Sequence, residues 1–238
     1  MTSYRVSFVR GDGEVVQDAP LDALLTLSLA DLQPCRKVQN YRHQVNQTGE
    51  YWFTTQGVHL AFESRLEEAV MRQLDQDRGV RRVAAQPFLL TWTAEDGRVL
   101  GHYPDLLADR VGQRRLVLDV RPTAHTTDED TQRAFQTTRQ ACSAIGWAYE
   151  VRSEPHPTHL FNLRWLGGHR RPPHALDEYA PALLDLARRT PRPLGELADA
   201  VGEPFFARPV LFYLLWKQDL TTDLNVPLSD MSVIHARV

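Results

Sequence analysis

Apolar residues at three- and four-residue spacing mark one helix clearly in the first half of the chain. Phe62, Leu66, Ala69, Val70 and Leu74 fall on one stripe. The stripe predicts an amphipathic helix over about residues 61–76, ended by Gly79. Short apolar runs follow at about 80–84, 88–92, 106–108 and 116–120, and they read as strands. Turn residues such as Asp96-Gly97 and Gly112 separate them. A second helix is predicted over about 128–144. Thr126 or Thr127 can cap it, and Asp128, Glu129 and Asp130 complement its N-terminal dipole. A strand at about 147–152 follows. Upstream, the apolar runs at about 6–9 and 14–16 flank Gly11-Asp12-Gly13, the pattern of a hairpin.

Helix, antiparallel strands, helix and strand, in that order, predict an α/β fold with a mixed β-sheet flanked by helices. This core is expected over residues 59–168, with residues 1–58 as an N-terminal extension packed on it. Pro155 and Pro157 precede a short helical piece at about 159–166. Gly167, Gly168, Pro172 and Pro173 then form the expected boundary. Residues 175–238 read as a small, mainly α C-terminal domain. It has helices at about 176–189, 194–201 and 207–218, then a β-prone tail with Val233-Ile234. Three small helices and a short hairpin make the order of a winged-helix module.

Composition narrows the classes. The 238 residues are 42 % hydrophobic and 24 % charged, an ordinary globular balance that excludes a disordered tail protein, a collagen-like chain and a multispan membrane protein. The chain has no apolar run of the roughly 18–20 residues a membrane span needs, and its first ten residues lack the apolar stretch of a signal peptide. Cys35 and Cys142 show no paired metal-ligand spacing and suit a reducing, cytoplasmic setting. A net charge of -3 argues against a coat of basic charge but leaves room for a local patch. Of 27 basic residues only Lys37 and Lys217 are lysine, so lysine-dependent chemistry has two places to reside.

Four positions carry candidate chemistry. Glu63 opens the amphipathic helix. Asp105 follows Pro104 between strand-like runs. Asp119 closes the apolar strand Leu116-Val117-Leu118-Asp119-Val120, and strand alternation puts Arg121 on the same face as Asp119. Taken singly each has an ordinary structural explanation: a helix-dipole acid, a Pro-Asp turn, a strand end. Together they form a set of hard oxygen donors beside a cation. Hydrolysis of a phosphodiester needs such donors to hold Mg²⁺, an oriented water, and positive charge near the developing negative charge.

The spacing Pro104-Asp105, then Asp119-Val120-Arg121, follows the PD-(D/E)XK nuclease signature. The runs Phe62-Glu63-Ser64-Arg65-Leu66-Glu67, Ala85-Gln86-Pro87-Phe88, His102-Tyr103-Pro104-Asp105 and Leu118-Asp119-Val120-Arg121-Pro122 resemble the TnsA family. Members of that family are endonuclease subunits of heteromeric transposases. The resemblance covers roughly residues 51–171 and is fainter in the C-terminal part. It implies a restriction-endonuclease-like core and a metal-dependent DNA endonuclease. That enzyme would cut the non-transferred strand at transposon ends, using Mg²⁺, with Mn²⁺ as a substitute. It implies double-stranded DNA, a DDE-type recombinase (TnsB-like) and an AAA+ regulator (TnsC-like) as partners, and no membrane. It also implies Glu63, Asp105 and Asp119 as metal ligands, with Arg121 at the catalytic cation position.

Arg121 departs from the family pattern, which usually has lysine there. Arginine stabilises charge but does not give up a proton, so the site either tolerates arginine or is weakened for cleavage. A stand-alone restriction or defence nuclease of the same fold, or a catalytically impaired DNA-binding protein, stays open on the same residues. Gln86, His102 and His125 are candidate DNA contacts near the acids, against a strand start and plain polar contacts as alternatives. Arg133 and Arg139 on the second helix are further candidates. Arg164, Arg170 and Arg171, with His169, His174 and Trp165, form the densest basic cluster, which is either a backbone-binding strip or a solvated linker. The basic stretch 36–43 carries the same pair of readings. The tryptophans and Phe205-Phe206 read as core, an exposed pair being a sign of a protein partner.

Overall fold

The computed structural model of the chain describes residues 3–36 and 47–237. The chain forms an α/β fold in two compact units. The first comprises Met1–Met71 and Gly79–Glu154, the second Arg72–Arg78 and Pro155–Val238. Most of the basic stretch 36–43 lies outside the described residues.

In the first unit the strands are β1 (Tyr4–Arg10), β2 (Val15–Pro20), β3 (Leu32–Gln33), β4 (Gly49–Phe53) and β5 (Val58–Phe62). They continue as β6 (Val80–Ala85), β7 (Leu89–Thr93), β8 (Val99–His102), β9 (Leu106–Arg110), β10 (Leu116–Val120) and β11 (Ala148–Arg152). Helices α1 (Arg65–Gln76) and α2 (Glu129–Ala144) belong to the same stretch of chain. One sheet has the order β2-β1-β7-β8, with β3 added to β1; a second has the order β11-β10-β9-β6; β4 and β5 form a separate hairpin. The second sheet is mixed. β10 pairs antiparallel with β9 but parallel with β11, Asp119 lying opposite Val151. A parallel pair needs a crossover, and α2 provides it. Asp128 caps α2 by accepting the Thr131 N–H at 3.0 Å, one residue beyond the predicted threonine caps.

The core of this unit joins the two sheets. Val6, Phe8, Leu90 and Trp92 from one meet Leu107 and Val117 from the other, together with Ala141 and Cys142 of α2. Every residue of β10 is buried, as expected of a strand covered on both faces.

The start of the first helix differs from the sequence expectation. Residues 58–62 are a strand paired with β4, and α1 begins only at Arg65. The cause is local. Ser64 and Glu67 form the capping pattern Ser-X-X-Glu, in which the Ser64 Oγ accepts the Glu67 N–H at 3.1 Å. Glu63 therefore sits in the turn between β5 and α1 rather than on the helix.

The second unit contains α3 (Pro157–Leu166), α4 (Leu176–Arg189), β12 (Arg192–Pro193), α5 (Leu194–Asp199), α6 (Pro204–Trp216), β13 (Leu220–Thr221) and β14 (Val233–Ala236). The division between units falls at Glu154/Pro155, so α3 joins this unit instead of the nuclease-like core it was expected to close. The three short strands form an antiparallel sheet in the order β12-β14-β13. Leu163, Leu183, Leu197, Leu211, Leu214 and Ile234 lie in one buried cluster. α6 ends in a Schellman motif: Asp219 N–H bonds to Leu214 O and Gln218 N–H to Leu215 O, with Gln218 at φ 55°. Among the described residues no helix is long and apolar enough to cross a membrane.

Candidate active site

A cleft of about 480 Å³ opens in the first unit where the start of α1 meets the ends of β8, β9 and β10. It is lined by Glu63, Ser64 and Glu67 on one side and by His102, Tyr103, Asp105 and Arg121 on the other, with Arg36 at its margin. The cleft brings Glu63, Asp105 and Arg121 together, as the sequence spacing suggested. It adds Glu67, a third carboxylate.

Asp105 is fixed by its backbone. Its N–H donates to Leu118 O, its carbonyl accepts the Gln86 N–H at 2.8 Å, and its Oδ2 accepts the Val120 N–H at 2.7 Å. Burial pushes the Asp105 carboxyl up to about 7, with the charges of Glu67 and Asp119 adding to the rise; the Val120 N–H and Arg121 pull the other way. Burial likewise raises Glu67, opposed by the Glu63 N–H and the Ser64 hydroxyl, which donate to its two oxygens at 3.0 and 3.1 Å. Glu63 is ion-paired with Arg36. The guanidinium of Arg36 also lies 5.6 Å from the centre of the Tyr103 ring.

Asp119 is not at the cleft surface. It is 0 % exposed, and both carboxylate oxygens accept from His102 Nε2, at 2.9 and 2.8 Å. The Tyr149 hydroxyl donates to Oδ2 as well. Its partners come from β8 and β11, so Asp119 ties β10 both to its neighbour in the sheet and to the other sheet. Burial and the charge of Asp119 push the Tyr149 hydroxyl far above its ordinary range, and the same two causes raise the Cys142 thiol to about 12. Both groups stay protonated at neutral pH.

The remaining predicted contacts divide. His102 borders the cleft, but its Nε2 turns inward to Asp119, not outward to a phosphate. Gln86 is 3 % exposed, out of reach of a macromolecule; it holds φ 47°, and its backbone bridges Cys35 and Asp105. Strain of that kind at a non-glycine residue persists where surrounding bonds enforce it. His125 is exposed at the end of a short helical turn, Thr123–His125. Arg164, Arg170 and Arg171 all belong to the second unit, where Arg170 donates to Gly167 O at 2.8 Å. The rings of Trp165, His169 and Phe212 cluster there at 4.3–4.9 Å. Phe205 and Phe206, read from the sequence as core, are 80 % and 52 % exposed, because they occupy the outward side of the first turn of α6.

Two residues escaped the sequence reading, Glu67 and Tyr149, and a third, Arg36, was read only as part of the basic stretch 36–43. Glu67 was detectable from the Ser64-X-X-Glu67 spacing, which marks a cap and thereby aims a second acid at the place where the helix starts. Arg36 and Tyr149 act through contacts 27 and 30 residues away in the chain, and no short-range pattern announces those contacts.

The donor chemistry suits Mg²⁺. Glu63, Glu67 and Asp105 offer hard oxygens, and the burial and the charge of Glu67 that together raise Asp105 are a penalty that a divalent cation would relieve. Among the described residues no three His, Cys, Asp or Glu side chains form a preformed metal cage. Mg²⁺ characteristically takes one or two carboxylates and completes its shell with water and phosphate oxygens.

No protein-family model matches the chain, and no curated protein is similar to it at a significant level.

Proposed function

We propose that the protein is a metal-dependent DNA endonuclease whose active site is the Glu63–Glu67–Asp105–Arg121 cleft. The observation that carries this reading is the convergence of three carboxylates and an arginine on one open cleft beside a buried mixed sheet. Asp105 and Glu67 would hold Mg²⁺, with Glu63 available once it is released from Arg36. The metal would supply Lewis acidity at a scissile phosphate. Arg121 offers fixed positive charge to the phosphate oxygens, and the backbone bonds of Asp105 keep its carboxylate in place as substrate enters.

The resemblance to the TnsA family gives the reading its substrate: double-stranded DNA at a transposon end, cut on the non-transferred strand. On this reading a DDE-type recombinase and an AAA+ regulator supply specificity. The order α4-β12-α5-α6-β13-β14 and the strand order β12-β14-β13 support reading the second unit as winged-helix-like. In such modules the third helix faces DNA. Here the outward residues of α6 include Phe205 and Phe206, and exposed aromatic pairs suit a protein partner.

The test is nicking of supercoiled DNA with Mg²⁺ or Mn²⁺, with and without a partner recombinase. Wild type, Asp105→Ala, Glu67→Gln and Arg121→Lys are compared. Cleavage by wild type that Asp105→Ala abolishes supports the assignment, and cleavage indifferent to both acid substitutions overturns it. Activity that appears only in Arg121→Lys favours the impaired-nuclease reading, for which the arginine at the motif's lysine position is the specific observation.

A further inference from the structure

Hydrolysis requires a group to take the proton of the attacking water, and the cleft offers few. Arg121 is permanently protonated and accepts nothing. Glu63 is held by Arg36, both Glu67 oxygens take hydrogen bonds from Glu63 and Ser64, and Asp105 Oδ2 takes one from Val120. His102 differs. Its Nε2 is bound to Asp119, whose carboxylate can only accept, and Tyr149 already donates to that carboxylate. That arrangement places the imidazole proton on Nε2 and leaves Nδ1 as a bare lone pair. His102 lines the cleft, and Nδ1 has no hydrogen-bond partner among the described residues. A base held in one tautomer by a buried carboxylate, which is itself held by a third group, is the recurring construction of acid–base sites.

We propose that His102, oriented by Asp119 and Tyr149, is the general base of the cleft, taking the place that the missing lysine leaves. The inference rests on the phosphodiesterase reading above. In the step, the water oxygen forms a bond to phosphorus while its proton passes to Nδ1. The bond from phosphorus to the leaving sugar oxygen breaks, and that oxygen takes a proton from solvent. The imidazolium so formed is stabilised by Asp119 through Nε2–H, and it returns its proton to water after product leaves. Asp119 is then a positioning residue, not a metal ligand.

Two measurements test this. The first is the ¹⁵N spectrum of imidazole-labelled full-length protein without metal, which needs no activity. A protonated Nε2 with an unprotonated Nδ1 at His102 is expected, and the opposite tautomer overturns the proposal. The second is cleavage by His102→Ala and His102→Gln, with DNA affinity followed in parallel by fluorescence anisotropy. Loss of about 100-fold or more in cleavage at DNA affinity within about twofold of wild type is expected. Added imidazole should restore at least about tenfold of the rate in His102→Ala but none in Asp105→Ala. Cleavage within about threefold of wild type in either variant overturns the proposal, as does a folded His102→Ala that imidazole does not rescue. If His102→Ala fails to fold, His102→Gln, which keeps a donor toward Asp119, is decisive: it should fold and lose cleavage. A wild type that cuts no DNA under any condition overturns the nuclease reading itself, whereas a wild type that cuts while the variants also cut removes only the role of His102.

Discussion

Replacing Asp105 by asparagine keeps an oxygen for the Val120 N–H and removes a negative charge that the cleft holds at a cost. The carboxyl is raised from 3.8 to about 7, first by burial and then by Glu67 and Asp119. An acid raised in this direction binds its proton more tightly folded than unfolded. Its stabilising effect is complete below the unfolded value and is lost as pH climbs toward the folded one. Each unit corresponds to about 1.4 kcal/mol, so the penalty approaches about 4 kcal/mol near pH 8 but only about 2 kcal/mol near pH 5. Asp105→Asn is therefore expected to be more stable than wild type by roughly those amounts in metal-free buffer, though inactive. Urea unfolding of both proteins at the two pH values, with chelator present, gives the comparison. Adding Mg²⁺ near pH 8 should stabilise wild type more than the variant, because only wild type recovers the interaction. A gain that is the same at both pH values, or a variant less stable than wild type near pH 8, would refute the electrostatic reasoning.

Other outcomes follow from contacts described above. Tyr149→Phe takes one of the donors from the buried Asp119 and should cost about 1–3 kcal/mol, read as a lower urea midpoint. Leu211→Ala opens a void in the fully buried cluster of the second unit and should cost about 2–5 kcal/mol by the same measurement. Gln218→Gly puts a residue without a Cβ at φ 55° in the Schellman position after α6 and should gain up to about 1 kcal/mol, less what the Arg237 bond to its side chain contributes. A loss in that variant would show that the side-chain bond outweighs the backbone strain.

Much of the architecture was written in local pattern. The period-two and continuous apolar runs located β6, β7, β9 and β10, and the acids at 128–130 located the start of α2, because these signals depend on neighbours within a few residues. The hairpin of β4 and β5 was missed. Its pairing depends on residues 5 to 13 positions apart, and the apolar stripe of α1 extends through Phe62, which suits either state. β8 was missed because Gly101 and His102 carry little strand preference. In the site, Glu63, Asp105 and Arg121 were legible as a set because the motif is a sequence spacing. That Asp119 lies behind the cleft was not, since an acid at the end of an apolar strand looks the same whether it faces solvent or a histidine from another sheet. The exposure of Phe205 and Phe206 was hidden for a similar reason: every residue of that turn is apolar or aromatic, so the pattern has no polar face to orient it.

The two units are interleaved in the chain, since residues 72–78 of the second precede the last strands of the first. On the ribosome this imposes an order. The Arg72–Arg78 segment emerges well before its partners from Pro155 onward, and at ordinary elongation rates the gap is roughly 4–15 s. During that interval Leu74, buried in the finished protein, has no completed unit to enter. The nascent chain must either leave it open to chaperones or hold it in transient contacts. A stop codon placed just after Glu154 would leave the Arg72–Arg78 segment permanently without the rest of its unit.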